Sequence, residues 1–531
     1  MSNKKLQVWL PLLLAATLVA GMFFGYKLKD NMGHMGPSFP GKQRKTNLQE
    51  ILDLVARKYV DTVNTDSLAR LAIENIFTQL DPHSSFIPAD QVKQMNDELQ
   101  GNFEGIGVEF ELLDDTVTVL GLSPKSPAEA AGILVGDKIL RANDSIVSGV
   151  QSSPDRIRKI VRGPRGTNVS LLLLRNKDTQ IISVSRGVIP LKSVDAAYLI
   201  EDTIGYIRLN KFASSTYEEF MEQLEQLKEN GMKQLILDLR DNGGGMLDDA
   251  VQIADEFLGG SKEIVYTSGK STPKQIYTAR RPGLFENGRL VVLINEGSAS
   301  ASEVLTGALQ DWDRATIIGR RSFGKGLVQE QFNLSDGSAI RLTVSRYFTP
   351  VGRSIQKPFL KGNDSVYEKE VADRYTNGEV FRNDTSYHSG TPYRTKGGRR
   401  VYGGGGISPD IFVPLDSSEI FLFKNTTIRQ APVSKAAFTY YITRRQQLQS
   451  ISSAKALIAY LEKDPLVWSQ LETSLQKEQI ATSVFTPSQK AYLLQQVYAM
   501  VARQLWKKEG YIRVMNEYDP MIQKTLEYLR K

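Results

Sequence analysis

The 531-residue chain is 41% hydrophobic and 24% charged, an ordinary globular balance with room for roughly three or four domains. Its net charge of +7 is spread thinly, with no dense basic stripe, so no nucleic-acid partner is expected. The chain has no cysteine and only three histidines, His34, His83 and His388. That excludes a thiol nucleophile, thiolate-bound zinc and disulfide support, and leaves few candidates for a serine–histidine triad.

Residues 6–26, LQVWLPLLLAATLVAGMFFGY, form the one long apolar run, directly after Lys4 and Lys5. About 20 apolar residues are needed to cross a bilayer. Small residues at Ala15, Ala16, Ala20 and Gly21 would permit cleavage, but Met22 to Tyr26 prolong the apolar stretch. The expectation is therefore a signal anchor within residues 1–30. It places the protein as single-pass in the inner membrane, held by this N-terminal helix, with the rest in the periplasm or another extracytoplasmic space. Residues 30–45 read as a polar linker. Apolar residues then recur at helical spacing from Asn47 to Phe77 (Leu48, Ile51, Leu52, Val55, then Leu68, Leu71, Ile76), break at LDPHSSFI (80–87), and resume over 89–99. Residues 31–100 are thus expected to be a linker and a small helical domain, with His83 in a structural turn.

Residues 101–190 change to glycine-punctuated strands. The loop Gly105, Ile106, Gly107 and Val108 opens a strand, Ala128 to Ala131 read as a short helix, and Gly136 to Asn143 match a GDxIxxxN pattern. This order resembles a PDZ domain. Such a loop turns backbone N–H groups toward a peptide carboxylate, while the neighbouring strand edge pairs with the incoming chain.

From 191 to 416 strands alternate with helices: strand 204–212, helix 216–229, strand 234–240, the glycine loop DNGGG (241–245), helix 246–257, strand 289–297 and a helix from about Ala301 to Leu309. The pattern predicts an α/β core. Residues 357–406 are polar and glycine-rich and read as a surface insertion. Residues 417–531 read as a helical region, with a clear apolar face over 491–506. It has no obvious catalytic group, and could cap the core, form a homo-oligomer contact or bind an adaptor. The expected fold class is α/β multidomain: N-terminal helical segment, PDZ-like β domain, α/β core with a β-rich extension, and C-terminal helical region.

The chemistry concentrates in 295–329, NEGSASASEVLTGALQDWDRATIIGRRSFGKGLVQ, which holds three clustered serines and a lysine between Gly324 and Gly326. A serine attacks a carbonyl only if a base takes its proton, and lysine is a base only when neutral. Its pKa must fall by roughly three units, about 4 kcal/mol, through desolvation and nearby cations such as Arg320 and Arg321. DNGGG, between a strand and a helix N-terminus, offers backbone N–H groups for an oxyanion hole, with Ala301 beside the serines as a second donor. No GK[ST] follows that loop, so a nucleotide site is not expected. The residues alone do not separate Ser298, Ser300 and Ser302, any of which could cap the following helix.

Over residues 46–416 the chain resembles the carboxyl-terminal processing peptidases, or tail-specific proteases. The resemblance rests on LDPHSSF, the PDZ-like segment, DLRDNGGG, NEGSASASE, SFGKGLVQ, YFTPVGRSIQ (347–356) and GGGGISPDI (403–411). It implies a serine endopeptidase core over 191–416, a peptide-binding PDZ domain over 101–190, polypeptide substrates with apolar C-termini, and neither cofactor nor metal. By position it implies Ser300 as nucleophile, Lys325 as base, Gln329 as the residue orienting the lysine, and Gly244 or Gly245 with Ala301 as oxyanion donors. Many members carry proline where Gly243 stands. Arg162, in VRGPRGT, lies near the junction of PDZ-like segment and core, a position from which it could link the two. Two competing classes remain: a non-catalytic PDZ-type scaffold, which would be expected to lack Ser300 or Lys325, and an acyl-transfer enzyme on small substrates, which would need no tail-binding segment.

Overall fold

The structure, a computed structural model, describes residues 11, 14–22, 46–149, 153–382, 390–416, 420 and 426–531. The linker read at 30–45, His34 and His388 lie outside the described residues, as does more than half of the apolar run 6–26. The inner-membrane assignment is corrected: among the described residues no helix is long and apolar enough to cross a membrane.

Helix α1 (Asn47–Lys58) starts at Thr46, whose hydroxyl accepts Gln49 N–H, and is followed by α2 (Thr65–Thr78). The LDPHSSF turn leads into strand β1 (Ser85–Ile87) and helix α3 (Ala89–Gln100), which ends on Gly101 in the left-handed region. Strand β2 (Asn102–Gly105) leaves for the next unit, and β9 (Gly187–Pro190) returns antiparallel to it. Between them lie β3 (Val108–Leu113), β4 (Thr116–Leu122), the short α4 (Pro127–Ala130), β5 (Lys138–Ala142), β6 (Ser145–Ile146), α5 (Pro154–Val161), β7 (Asn168–Arg175) and β8 (Asp178–Ser185). The sheet runs β3-β4-β5-β7-β8, leaving β3 at an edge beside α5. Alternate residues of these strands, including Val117, Val119, Leu171 and Leu173, close a core with Ile157 of α5.

The α/β unit follows, built on a six-stranded sheet. Strands β10 (Val194–Glu201), β11 (Ile204–Leu209) and β12 (Gln234–Asp238) come first, with helix α6 (Thr216–Glu229) between the last two. Helix α7 (Leu247–Asp255) and the hairpin β13 (Glu263–Ser268) and β14 (Gln275–Thr278) lead to β15 (Arg289–Ile294). Helix α8 (Ala301–Asp311) then leads to β16 (Thr316–Gly319). The order is β10-β11-β12-β15-β16-β21, with β21 (Ile411–Phe412) at the edge and all pairs parallel except β10/β11. Parallel neighbours require crossovers, and the helices supply them. Strand periodicity divides the core. Leu235, Leu237, Val292 and Ile294 pack with Phe220, Leu224, Ile253 and Leu305 of the helices. Ile236, Val291 and Leu293 pack on the other face with Ile512, Met521, Ile522 and Leu529 from the C-terminal helices. Each such burial is worth about 1.5–3 kcal/mol, so the C-terminal region completes the core.

A second sheet holds β17 (Leu327–Asn333) and β18 (Ala339–Phe348), with β18 also pairing β1 and β13. Residues 357–406 carry α9 (Asp364–Thr376) and the hairpin β19 (Pro392–Arg394) and β20 (Arg400–Tyr402). Most of their described residues are exposed or partly exposed, yet the segment also carries buried charges. Lys357 and Arg374 are each only 1% exposed, because Glu370 and main-chain carbonyls take up their charge and N–H groups. The C-terminal region forms α10 (Thr426–Leu448), α11 (Ala454–Leu461), α12 (Leu466–Lys477), α13 (Pro487–Tyr518) and α14 (Pro520–Arg530), with a core of its own. α13 is broken at Trp506 and Lys507, whose backbone angles leave the helical region.

Candidate active site

The serine cluster occupies the turn from β15 into α8. Ser298 and Ser302 are fully buried, and their hydroxyls donate to the carbonyls of Leu239 (2.8 Å) and Asn242 (2.8 Å). They tie the turn to the DNGGG loop. Ser300 alone of the three keeps accessible surface, and it sits at φ 55°, ψ −115°, a strained conformation for a residue with a Cβ. What holds it there is Glu303, a buried carboxylate. Its Oε2 accepts Ser300 N–H (2.9 Å) and Lys325 N–H (2.9 Å), while Oε1 accepts Ser322 Oγ–H (2.5 Å) and Gly324 N–H (2.7 Å). The buried Tyr347 hydroxyl adds a second clamp, 3.2 Å from Ser300 O and 2.8 Å from Lys325 O. One carboxylate and one phenol thus fix the serine and lysine main chains together. The S-x-x-E spacing of a capping box was the available signal for Glu303; Tyr347 had none.

Lys325 Nζ donates to Gln329 Oε1 (2.9 Å), and Gln329 Nε2 donates to the carbonyl of His83 (2.5 Å). LDPHSSF therefore enters the site through its backbone. Asp81 Oδ1 accepts from His83 N, Ser84 N and Thr343 Oγ1, and Oδ2 from Ser84 Oγ, locking the turn onto β18. The His83 ring meets the Tyr367 hydroxyl of α9 at 2.8 Å, and burial, helped by the Lys325 charge, holds it down at about 4, so it is neutral at pH 7. Burial also lowers the Lys325 pKa, with a further push from Arg341, against the pull of Asp81 and Glu303. Arg320 and Arg321, expected to provide that push, are instead paired with Glu296 (2.7 Å) and Glu379 (2.6 Å).

The loop DNGGG lies against the serine turn. A Cβ on Gly244 would come within 2.7 Å of Ala299 O and 2.9 Å of Ala301 N, and one on Gly245 within 1.9 Å of Phe212 O. Ala299 N–H donates to Asn242 O (3.0 Å), closing the approach. Gly244 N–H donates to Asn242 Oδ1 (2.9 Å), so it points within its own loop here. Ala301 is the first residue of α8, where an N–H has no intrahelical acceptor. The geometry thus gathers Ser300, Lys325, Gln329, Gly244 and Ala301 around one turn. The hydrogen bond of Lys325 Nζ runs to Gln329.

Of the expected peptide-loop residues, Ile106, Gly107 and Val108 line a cleft of about 260 Å³ between β3 and α5, with Phe103, Val161 and Arg162. Gly105 instead pairs with Gly187 in the β2/β9 ribbon. Ala128 N–H and Ser123 N–H donate to the carbonyls of Ile106 (2.9 Å) and Gly107 (2.9 Å), fixing the loop. The Arg162 guanidinium stacks 4.6 Å from the Phe103 ring, at the root of the ribbon toward the core.

With this geometry in hand, comparison with known proteins gives two family matches: the peptidase family S41 over residues 203–363 and the PDZ domain over 105–185. A carboxy-terminal-processing protease of Bartonella bacilliformis is 34% identical, covering 73% of this chain and 89% of its own. A CtpA-like serine protease of Staphylococcus epidermidis is 32% identical, covering 66% of this chain and 70% of its own.

Proposed function

This chain belongs to peptidase family S41 and is a C-terminal-processing serine endopeptidase with a PDZ domain, and we propose that it cleaves through a Ser300–Lys325 dyad after capturing apolar C-terminal tails. In this reading residues 101–190 bind the tail, 191–416 hold the catalytic core, and 417–531 support it. One observation carries the dyad: a single buried carboxylate, Glu303, binds the backbone N–H of both Ser300 and Lys325.

Ser300 Oγ attacks the scissile carbonyl carbon while neutral Lys325 Nζ takes its proton. The carbonyl oxygen becomes an oxyanion that accepts from Ala301 N–H and from a glycine N–H of the DNGGG loop, Gly244 once Asn242 releases it, or Gly245. Lys325 then hands its proton to the leaving amine, and the acyl-enzyme remains. Water repeats the cycle, losing its proton to Lys325 as it displaces Ser300. Gln329 Oε1 receives one lysine N–H, which turns the nitrogen lone pair toward the serine. Substrate binding closes the serine–lysine hydrogen bond, since such contacts are often long before substrate arrives.

The test offers the full chain an unfolded protein ending in an apolar tail, and the same protein with Asp-Asp added. Cleavage of the first, slowed for the second and absent with Ser300→Ala, is the expected result. Equal cleavage of both would remove the tail-reading role while leaving the protease. Cleavage surviving in Ser300→Ala would remove the nucleophile.

A further inference from the structure

The peptide cleft has a wall that does not come from the PDZ domain. Arg503, on α13, lines it together with β3 and α5, and its Nη2 donates to Glu109 Oε2 of β3 at 2.8 Å. Both side chains are half-exposed, at 41% and 54%. Further ties dock the C-terminal helices beside β3: Lys435 and Lys477 pair with Asp114 in the turn that follows it, and Ser434 lies close enough to Glu111 to act on its carboxyl. The break in α13 at Trp506 and Lys507 separates the arm that carries Arg503 from the arm on the core, where Lys508 pairs with Asp195 (2.8 Å) and Asn516 donates to Tyr198 (2.8 Å).

Resting on the tail-reading function above, we infer that Arg503 is a specificity residue, reading an acidic side chain just before the apolar end of the substrate tail. A tail that adds to the β3 edge alternates its side chains between two faces. The terminal residue enters the cleft toward Ile106 and Val161, and the residue before it points outward, on the side where Glu109 and Arg503 stand. An acidic group there takes over guanidinium donors that Glu109 otherwise holds. A lysine there meets Arg503 as a like charge. The C-terminal helices thereby take part in substrate selection as well as in completing the core.

The experiment uses the full chain with Ser300→Ala, so that peptide is not consumed, and fluorescence anisotropy with two labelled peptides. Both end in the same apolar residue, and they carry Glu or Lys at the outward positions one and three residues before it. The Glu peptide is expected to bind about three- to five-fold more tightly, the range for half-exposed ion pairs. Arg503→Glu should reverse the order. Glu109→Gln, which frees Arg503, should tighten the Glu peptide further, a gain that a merely structural Arg503 would not give. The remaining ties to Asp114 and Glu111 keep the helices docked in both variants. Equal binding of the two peptides, or Arg503→Glu weakening both alike, would overturn the proposal and leave tail recognition standing. Failure of both peptides to bind the parent protein would overturn tail recognition, and this proposal with it.

Discussion

Lys325→Met is expected to lower kcat/KM for a tailed substrate by about a thousand-fold or more, the scale on which a positioned base and its nucleophile act together. The same substitution should leave the melting temperature unchanged or raised. Burial depresses the Lys325 pKa, with Arg341 adding to the effect, so the folded site disfavours the ammonium. The sign follows from linkage. The unfolded chain binds this proton more tightly, so the stability contribution is present above the ordinary 10.5 and is lost as pH falls through the lower folded value. Methionine removes that charge and keeps the length of the side chain. Wild-type kcat/KM should accordingly rise with pH along a limb that ends below 10.5. Thermal melting and a pH–rate profile on one preparation check both statements. A variant that is inactive because it is unfolded would refute the role given to the lysine.

Glu303→Gln is the second large effect, expected to cost about a hundred-fold in kcat/KM and about 2–4 kcal/mol of stability at alkaline pH. The carboxylate accepts four donors, two on each oxygen, and an amide presents an NH2 to two of them. Each buried donor left without an acceptor costs about 1–3 kcal/mol. Burial pushes this carboxyl from its ordinary 4.5 up to about 7, against the four donors that favour ionisation. Here the folded value is raised. Its stability contribution is full below 4.5 and is lost as pH rises through about 7. Catalysis runs the opposite way, because only the ionised form completes all four hydrogen bonds. Between these limits wild-type activity should climb while its stability falls, and glutamine, which does not titrate, should show no such fall. Melting curves of the two proteins from acid to mildly alkaline pH measure it. Parallel curves would remove Glu303 from the account.

What the sequence revealed depended on whether a contact was local. The strands 234–238 and 289–294 were readable because runs of buried apolar residues have one meaning in a parallel sheet. The serine turn was readable as a site, but not which serine, since what sets Ser298 and Ser302 apart from Ser300 is the distant carbonyls that bury their hydroxyls. The His83 carbonyl reaches Gln329 across 246 positions, through a β1/β18 register that no local pattern encodes. Within 357–406 the buried cations were not legible, because buried charges look like surface ones until their partners are known. Lys357 lies 4.1 Å from the rings of both Phe323 and Tyr367. YFTPVGRSIQ became intelligible only with Arg353 buried against Asp311 at the end of α8. The apolar N-terminal run suggested a membrane span from composition, and among the described residues no helix is long and apolar enough to cross a membrane.

The most direct test of the Ser300–Lys325 account is covalent. The full chain is treated with a serine-reactive fluorophosphonate, and the adduct is located by peptide mass spectrometry in wild type, Lys325→Met and Ser300→Ala. A Ser300–Lys325 dyad gives one adduct, on Ser300, formed rapidly in wild type and slowed by orders of magnitude without the lysine. An adduct on Ser298 or Ser302, or labelling of Ser300 at an unchanged rate in Lys325→Met, would contradict it.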